Sequence, residues 1–368
     1  MDMYVYNVGQ ANCILVIVGD AEGKSAIFFD TGIQRIDQFK EDSPVRGHLV
    51  RTLAAQVTEV VFVLSHTDRD HINIFFHICH ICQITGKSIA AVYVGMDANV
   101  DSSSVNSDPF DIGRVIDKLK FNPRTTIVPI INGISDPFSI SMGGAKIEFL
   151  MPGEGYTIAK TNPNEASLVT RLVYQDKSIL FTGDAPGKLF RAIAGLLQFP
   201  DILVCPHHGS MSEGSYLWRG ELNHPRMISI ISSNPTGCDH LPERSFMNTN
   251  TLVGGLHFAP HVIAYHSKLR GGICCKQTSA PIFVTGCSGI PLACGIDAIR
   301  ESIDAIRESI ANNAGIGYHI NMSSGNITIR AIGANGEEEI LASDTALDSE
   351  EIVLEVAATT TEEEDAEE

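Results

Sequence analysis

The feature that most constrains this chain is a short apolar run followed directly by a dense group of polar side chains. Residues 60–64 read Val-Val-Phe-Val-Leu and predict a buried strand. Four potential metal ligands, His66, Asp68, Asp70 and His71, follow within six positions. A packed core has no use for that density of polar groups. The loop after this strand is therefore predicted to hold the main part of a metal site.

Composition narrows the class of protein. The chain has 368 residues, of which 44% are hydrophobic, as expected for one large folded domain or two ordinary ones. No apolar run is long enough to span a membrane, and no basic region followed by an apolar run begins the chain. The nine cysteines are odd in number and scattered, which favours reduced thiols. These observations predict a cytoplasmic protein that is not inserted in a membrane.

The net charge of −18 is concentrated at the C-terminus. Fourteen acidic residues and no Lys or Arg lie between Glu337 and Glu368, and without them the body carries a charge of −4. A nearly neutral body allows a locally positive groove but does not indicate strong non-specific DNA binding. Residues 333–368 are predicted to form an acidic, mostly disordered tail after a domain that spans residues 1–332.

A short strand followed by a loop with Asp or His recurs along the chain. Strands are predicted over 26–29, 178–181, 202–205 and 227–232. The polar residues that follow these strands are, in chain order, Asp30, Asp184, His207, His208 and His240. Helices are predicted over 45–58, 72–85 and 188–198. Strand-rich halves with helices between them predict an α/β (α+β) fold in which sheets pack together with helices outside.

Six short motifs occur in a fixed order. They are Asn-Val-Gly-Gln-Ala at 7–11, Asp-Thr-Gly at 30–32, Ser-His-Thr-Asp-Arg-Asp-His at 65–71, Asn-Glu-Ala-Ser-Leu-Val at 164–169, Thr-Gly-Asp at 182–184 and His-His-Gly-Ser at 207–210. The set resembles the metallo-β-lactamase fold, and more closely the soluble hydrolase domain of the ComEC-type competence protein and its stand-alone relatives. Asn7 and Ala11 depart from that pattern, which has Asp and Gly there.

The resemblance implies an αββα sandwich with one or two divalent metal ions between two sheets. The residues agree with it: His66 and Asp68 point to one metal, and Asp70 and His71 to a second. Asp184 is placed to bridge the two. His207 is the favoured late ligand, with His208 nearby. Asp30, Asn164, Ser167 and His208 are expected to lie behind the ligands and to orient them.

Asp68 stands where many relatives of that family have His, and no His occurs near Asn164. An oxygen-rich site shifts the expected metal from zinc towards manganese without excluding zinc. Such a site suits hydrolysis of a phosphodiester in nucleic acid or a nucleotide. Asp70 or Asp68 would orient the attacking water, and His240 would contact a phosphate or assist the leaving group.

Other interpretations of the same residues stay open. The chain could hydrolyse another small ester or lactone, or it could be a non-catalytic partner-binding module that keeps the metal fold. His77, Cys79 and Cys82 suggest a second zinc site, but helical spacing favours a core role for the two cysteines.

Residues 253–316 read as a Cys-rich and helical insertion. Cys274, Cys275, Cys287 and Cys294 lie within it at irregular spacing that could bind structural zinc. A repeated heptad at 297–310 predicts a helix with an isoleucine face. This helix would either dock on the body or form a homodimer through residues 296–310.

Overall fold

The structure is a computed structural model that describes residues 1–19, 23–96, 125–159, 162–210, 228–232, 282–284, 316–323, 326–333 and 335–343. In these residues the strands are β1 Asp2–Tyr6, β2 Cys13–Gly19, β3 Lys24–Thr31, β4 Glu59–Leu64, β5 Ser88–Gly95, β6 Thr126–Ile130, β7 Phe138–Met142, β8 Ala145–Phe149, β9 Thr170–Tyr174, β10 Lys177–Phe181, β11 Ile202–Val204, β12 Ile228–Ile231, β13 Ile282–Val284, β14 Gly317–Ser323, β15 Asn326–Ile332 and β16 Glu338–Ser343. The helices are α1 Pro44–Gln56, α2 Arg69–Ile72, α3 Phe75–Ile84 and α4 Gly187–Ala192.

The strands form two sheets. Sheet A has the order β16-β15-β14-β1-β2-β3-β4-β5-β6, and sheet B has the order β13-β12-β11-β10-β9-β8-β7. Strands β3 to β6 run parallel in sheet A, and β10 to β13 run parallel in sheet B. The carboxyl ends of neighbouring parallel strands meet at one edge of each sheet, so loops that are distant in sequence become neighbours there.

Alternating side chains of sheet A contribute to two separate hydrophobic cores. One face carries Phe28 and Phe62, which pack with α1 and α3. The other face carries Phe29 and Val63, which pack against sheet B. This alternation follows from the two-residue period of a strand. The predicted class, a mixed α/β fold with two packed sheets and helices outside, is confirmed.

A ring pair joins the two sheets directly below their shared edge. Phe29 of β3 and Phe181 of β10 stack with ring centroids 3.6 Å apart. Burying an aromatic ring of this size contributes about 1.5–3 kcal/mol. Asp30 follows the first ring at once, and Asp184 lies three residues after the second. The stack therefore sets the separation of the sheets where these carboxylates emerge.

Two predicted helices differ from the observed ones. The helix predicted over 72–85 begins later, as α3 at Phe75, because Ile72 ends the separate helix α2. Between the two helices, the Asn73 side chain hydrogen-bonds both the N–H and the carbonyl of Ile33. The helix predicted over 188–198 ends at Ala192 and continues only as a 3-10 turn over Ala194–Leu196. The helix predicted over 45–58 is confirmed as α1, capped by the Ser43 hydroxyl, which accepts from the Arg46 N–H.

Sheet A extends past residue 332, at which the sequence analysis ends the domain. Strand β16 pairs with β15 within the stretch predicted as an acidic tail. Glu338 lies 3.0 Å from His319 and 3.8 Å from Arg330, and these cations offset the charge that made the segment read as a tail. Residues 344–368 lie outside the described residues.

The predicted insertion at 253–316 also contributes to the sheets. Strand β13 lies within it and pairs with β12 at the end of sheet B. The four cysteines of that region and the repeated heptads at 297–310 lie outside the described residues. The zinc and homodimer expectations for that region therefore stay predictions. In the described part of the chain, no helix is long and apolar enough to cross a membrane.

Candidate metal centre

Four side chains from both sheets converge where the strand ends meet. Asp70 and His71 lie on α2, just after β4 of sheet A. Asp184 follows β10 of sheet B, and His208 follows β11. One ligand atom from each residue lies within 4.8 Å of the ligand atoms of the other three. Asp70, His71 and Asp184 therefore come together as the sequence predicts.

The histidine nitrogens and carboxylate oxygens of this cluster lie 3.0–3.8 Å apart and face one another. His71 Nε2 lies 3.0 Å from Asp184 Oδ1. His208 Nε2 lies 3.3 Å from Asp70 Oδ2 and 3.8 Å from Asp184 Oδ1. Three of the four side chains are buried, whereas the Asp70 side chain keeps 36% of its surface exposed. Asp70 is therefore the carboxylate of the cluster that solvent can reach.

Three buried ligand atoms of the cluster complete no hydrogen bond within the described part of the chain. They are His71 Nε2, Asp184 Oδ1 and His208 Nε2. Buried polar atoms are almost always paired in folded proteins, so three unpaired atoms at one point need a cause. Two imidazole nitrogens and carboxylate oxygens form a donor set that divalent zinc or manganese accepts. The residues present therefore fit a metal ion.

The nitrogens on the far sides of the rings fix which nitrogen faces the cluster. His71 Nδ1 donates to Asp30 Oδ2 at 2.7 Å. His208 Nδ1 donates to the Ser232 carbonyl at 2.8 Å. Each bond places a ring proton on Nδ1 and directs Nε2 into the cluster, where a metal ion would replace any proton on it. Asp30 occupies the orienting position that the sequence predicts for it, whereas the Ser232 contact uses a backbone carbonyl and has no sequence signal.

His66 and Asp68 form a second pair beside the cluster. His66 is fully buried, and its Nε2 lies 3.6 Å from Asp68 Oδ2. The His66 ring centroid is 4.2 Å from that of His71. Asp68 precedes α2 and keeps 37% of its side chain exposed. The pair lies next to the four-residue cluster, and Asp68 and Asp70 are both open to solvent.

Charges within the site hold its carboxylates ionised. Burial acts to raise the pKa of Asp184, but His71 and His208 beside it outweigh burial and lower that pKa well below its usual value. Burial also acts to raise the pKa of Asp70, and His208 and His71 lower it. The pKa of His71 is raised, because Asp184 and Asp30 outweigh the effect of burial. The carboxylates are thus in the state that binds a cation.

The loop after β11 brings His208 rather than His207 into the cluster. His207 is partly exposed, and its Nε2 lies 3.8 Å from Asp184 Oδ2. Both residues have φ of 51°, and Gly209 has φ of 79°. Three consecutive left-handed residues make a tight reversed turn, which for the two histidines costs of order 1–3 kcal/mol each. The sequence gives no signal for this conformation, so it did not separate the two histidines.

Two glycines allow the loops to approach this closely. A Cβ on Gly32 would lie 1.5 Å from the carbonyl oxygen of Asp70. Gly183 has φ of +52°, and a Cβ there would lie 2.6 Å from Ser65 Cβ. Both positions belong to motifs that the sequence analysis singled out. Their role is to let a neighbouring loop touch the backbone.

Ser167 contacts the site directly, whereas Asn164 contacts Ser167. Ser167 Oγ accepts from the Asp184 N–H at 3.1 Å and lies 3.5 Å from His66 Nδ1. Asn164 is buried in a 3-10 turn, and its backbone carbonyl accepts from the Ser167 N–H. Ser65 was not predicted, yet its hydroxyl contacts Asp30, His66 and His71. His240 lies outside the described residues.

The cysteines of α3 do not form a second metal site. No other group of three or more metal-ligating side chains occurs in the ranges that the structure describes. Cys82 lies on the buried face of α3 in the hydrophobic core, and burial raises its pKa to about 12. A thiol in that state packs as a small apolar group.

No protein-family model and no curated protein matches the chain. Solved structures of metallo-β-lactamase-fold proteins are similar to it. The metallo-β-lactamase-fold protein YhfI from Bacillus subtilis is 12% identical to this chain, with a TM-score of 0.41 over 77% of this chain and 95% of that chain. Yeast PDE1 is 9% identical, with a TM-score of 0.39 over 77% of this chain and 96% of that chain. The short form of human tRNase Z is 12% identical, with a TM-score of 0.37 over 62% of this chain and 92% of that chain.

Proposed function

We propose that this chain is a metal-dependent hydrolase that cleaves phosphodiester bonds in nucleic acid or a nucleotide. The observation that carries the proposal is the set of three buried, unpaired ligand atoms of His71, Asp184 and His208, which converge beside Asp70. The order of the motifs that contain these residues also supports a hydrolase.

Asp70, His71, Asp184 and His208 would hold a divalent metal ion, manganese or zinc. His66 and Asp68 would hold a second ion or complete the site of the first. A bound divalent ion supplies Lewis-acid chemistry, because it activates water and neutralises charge on a phosphoryl oxygen. Of the six side chains, three carboxylates supply hard oxygen ligands, which favours a site for phosphoryl transfer over one for soft metals.

The accessible side of the site is lined by Asp68 and Asp70, whose side chains are each a little over one third exposed. A substrate must therefore approach from this side. Either carboxylate can accept a proton from an attacking water held there. His207 is partly exposed at the same site, and its Nε2 lies 3.8 Å from Asp184 Oδ2. It is placed to hydrogen-bond a phosphate oxygen.

The residues below the ligands keep the ligands in place. Asp30 and the Ser232 carbonyl hold the rings of His71 and His208 through Nδ1. Ser167 holds the backbone of Asp184. Catalysis loses rate steeply when reacting groups move, so these contacts preserve the geometry of the site between turnovers.

The test combines metal analysis with hydrolysis assays on the full chain. Purified protein is incubated with Mn²⁺ or Zn²⁺, dialysed and assayed on bis-p-nitrophenyl phosphate, single-stranded DNA, RNA and cyclic dinucleotides. We expect at least one metal ion per chain and hydrolysis of one or more of these phosphodiesters. The matched pair of variants is Asp184→Asn in the site and Asp176→Asn in the exposed turn between β9 and β10.

The proposal fails if the protein retains less than one metal ion per chain and cleaves none of the four substrates. It also fails if Asp184→Asn keeps the activity of Asp176→Asn. Hydrolysis of a small ester or lactone without any phosphodiester cleavage would replace the proposed substrate class while leaving the metal site in place.

A further inference from the structure

The Ser65 hydroxyl lies at the meeting point of three side chains of the site. Ser65 Oγ is 2.8 Å from Asp30 Oδ2, 3.0 Å from His66 Nδ1 and 3.2 Å from His71 Nδ1. The Ser65 backbone N–H also donates to Asp30 Oδ1 at 2.6 Å. Ser65 is itself buried, so these contacts are protected from water.

The positions of the ring protons follow from where each Nε2 lies. When Nε2 of each ring holds the proposed metal ion, on the side of Asp68 for His66 and of Asp184 for His71, the neutral ring carries its proton on Nδ1. The His71 Nδ1–H donates directly to Asp30. The His66 Nδ1–H has no carboxylate within reach, and the nearest oxygen is Ser65 Oγ. The Ser65 hydroxyl then donates its own proton to Asp30 Oδ2.

We propose that Ser65 is a positioning residue that extends the hold of Asp30 from His71 to His66. One carboxylate then orients both imidazoles, the first directly and the second through a hydroxyl. The inference rests on the proposed function, because it assigns these imidazoles as metal ligands. Side chains that orient metal-binding histidines through the second ring nitrogen affect metal affinity strongly.

The Ser65 backbone is held so that its hydroxyl keeps this arrangement. Its carbonyl accepts from the Leu168 N–H at 2.8 Å, which ties it to the segment before β9. On the other side, the Gly183 backbone approaches so closely that a Cβ there would clash with Ser65 Oγ at 2.7 Å. Ser167 is a poor substitute partner for His66, since its Oγ lies 3.5 Å away and already accepts from Asp184.

The main test compares Ser65→Ala with Ser25→Ala in the full-length protein. Ser25 is also a buried serine, and it donates to Glu59 Oε1 at the opposite end of β3. Competition titration with Zn²⁺ and Mn²⁺ should show metal affinity about 10- to 100-fold lower in Ser65→Ala and unchanged in Ser25→Ala. Thermal unfolding of the two metal-free variants shows whether the lower metal affinity of Ser65→Ala comes from the site itself or from a general loss of stability. Equal metal affinity in both variants would overturn the proposal.

A second measurement does not depend on the strength of metal binding. In spectra of the Zn²⁺-loaded protein with ¹⁵N-labelled histidine, Ser65→Ala should remove the protected His66 Nδ1–H signal and preserve that of His71. Asp30→Asn should shift both signals. If Ser65→Ala leaves the His66 signal in place, the relay is absent even where the site binds metal. If the Zn²⁺-loaded wild-type protein shows the relay but cleaves no phosphodiester, only the proposed function fails.

The order of the contacts gives a further check by double substitution. If Ser65 acts only through Asp30, adding Ser65→Ala to Asp30→Asn should lower metal affinity little beyond Asp30→Asn alone. Residues that act as one unit show this non-additivity, whereas independent residues give additive losses. Additive losses in metal affinity would show that Ser65 acts on His66 by another route and would overturn the relay.

Discussion

Two histidines of this protein lie between pairs of carboxylates, yet their surroundings differ. His71 lies between Asp30 at 2.7 Å and Asp184 at 3.0 Å. His319 lies between Asp2 and Glu338, each at 3.0 Å, on strand β14 of sheet A, which pairs with β1 and β15. The ring-to-carboxylate distances are nearly the same at the two places.

The difference lies in whether the second nitrogen is satisfied. Both nitrogens of His319 complete hydrogen bonds, one to Asp2 and one to Glu338. His71 Nε2 completes none with Asp184, although the distance would allow it, and it points at the same place as His208 Nε2. A buried histidine with all its bonds made contributes to stability. A buried histidine with an unpaired nitrogen that meets other unpaired ligands indicates a binding site.

The largest expected difference is between removing the carboxylate charge beside His71 and removing the one beside His319. Asp184→Asn should lower phosphodiesterase activity about 100-fold or more, because it removes a buried ligand of the proposed metal. Glu338→Gln should leave activity unchanged, because its histidine binds no metal. Metal content after dialysis and the initial rate of hydrolysis measure both effects. Loss of bound metal in Glu338→Gln would mean that the two histidines are not distinguished in this way.

A smaller effect is expected from the two adjacent histidines of the β11 loop. His208→Ala should lower metal affinity about tenfold or more, since its buried Nε2 belongs to the cluster. His207→Ala should have a smaller effect on metal affinity and act mainly on KM, since its side chain is partly exposed. Metal titration and steady-state kinetics of the pair measure this. The reverse order would assign the ligand to His207.

Added metal should stabilise the fold through the site that contains His71 and not through the contacts of His319. At a free metal concentration of 100 times Kd the stabilisation is about 2.7 kcal/mol, which corresponds to a rise of several degrees in Tm. His319→Gln should keep this rise, and Asp184→Asn should lose it. Differential scanning calorimetry with and without Mn²⁺ tests both. A rise that persists in Asp184→Asn would indicate binding elsewhere.

The smallest effect is the pH dependence of the paired histidine. Burial acts to lower the pKa of His319, but Asp2 and Glu338 outweigh it and raise that pKa above its usual 6.5. Burial acts to raise the pKa of Asp2, but hydrogen bonds from His319 and Asn321 lower it to about 2 from 3.8.

The contribution of His319 to the free energy of unfolding is fully present below pH 6.5, because the folded state stabilises the imidazolium form. This contribution is lost as the pH rises through the raised pKa of the folded state. The Asp2 contribution is present above pH 3.8 and lost as the pH falls towards 2. Wild-type protein should therefore lose more stability than His319→Gln between pH 5.5 and pH 8.5. Urea unfolding of the two metal-loaded proteins at each pH measures this difference. Equal losses of unfolding free energy in wild type and His319→Gln would contradict the prediction.

The sequence predicts the site residues well where a strand end fixes them. Strands β3, β4, β10 and β11 are short apolar runs followed by polar residues. Parallel pairing brings the ends of β3 and β4 together in sheet A and those of β10 and β11 together in sheet B, and the packing of the two sheets brings these ends into contact. This is why Asp30, His71 and Asp184 are close in space although they are far apart in the chain. The period of the apolar residues carries that information, and it needs no tertiary detail.

Other features depend on contacts that no local pattern records. The choice of His208 over His207 depends on a left-handed turn set by neighbouring loops. The Ser232 carbonyl is a backbone atom, so no residue type marks it. The glutamates of β16 read as solvated charge and so predict a tail, whereas the segment pairs with β15 and its Glu338 lies beside His319 and Arg330. In each case, a partner distant in sequence decides the outcome.

The division of the ligands between the two sheets has a consequence for synthesis of the protein. Asp70 and His71 are made early and lie on sheet A, whereas Asp184 and His208 come from sheet B. A nascent chain that ends before residue 208 lacks part of the ligand set, and the Ser232 carbonyl that orients His208 emerges later still. Metal capture would therefore follow the docking of the second sheet and would report that the two halves have joined.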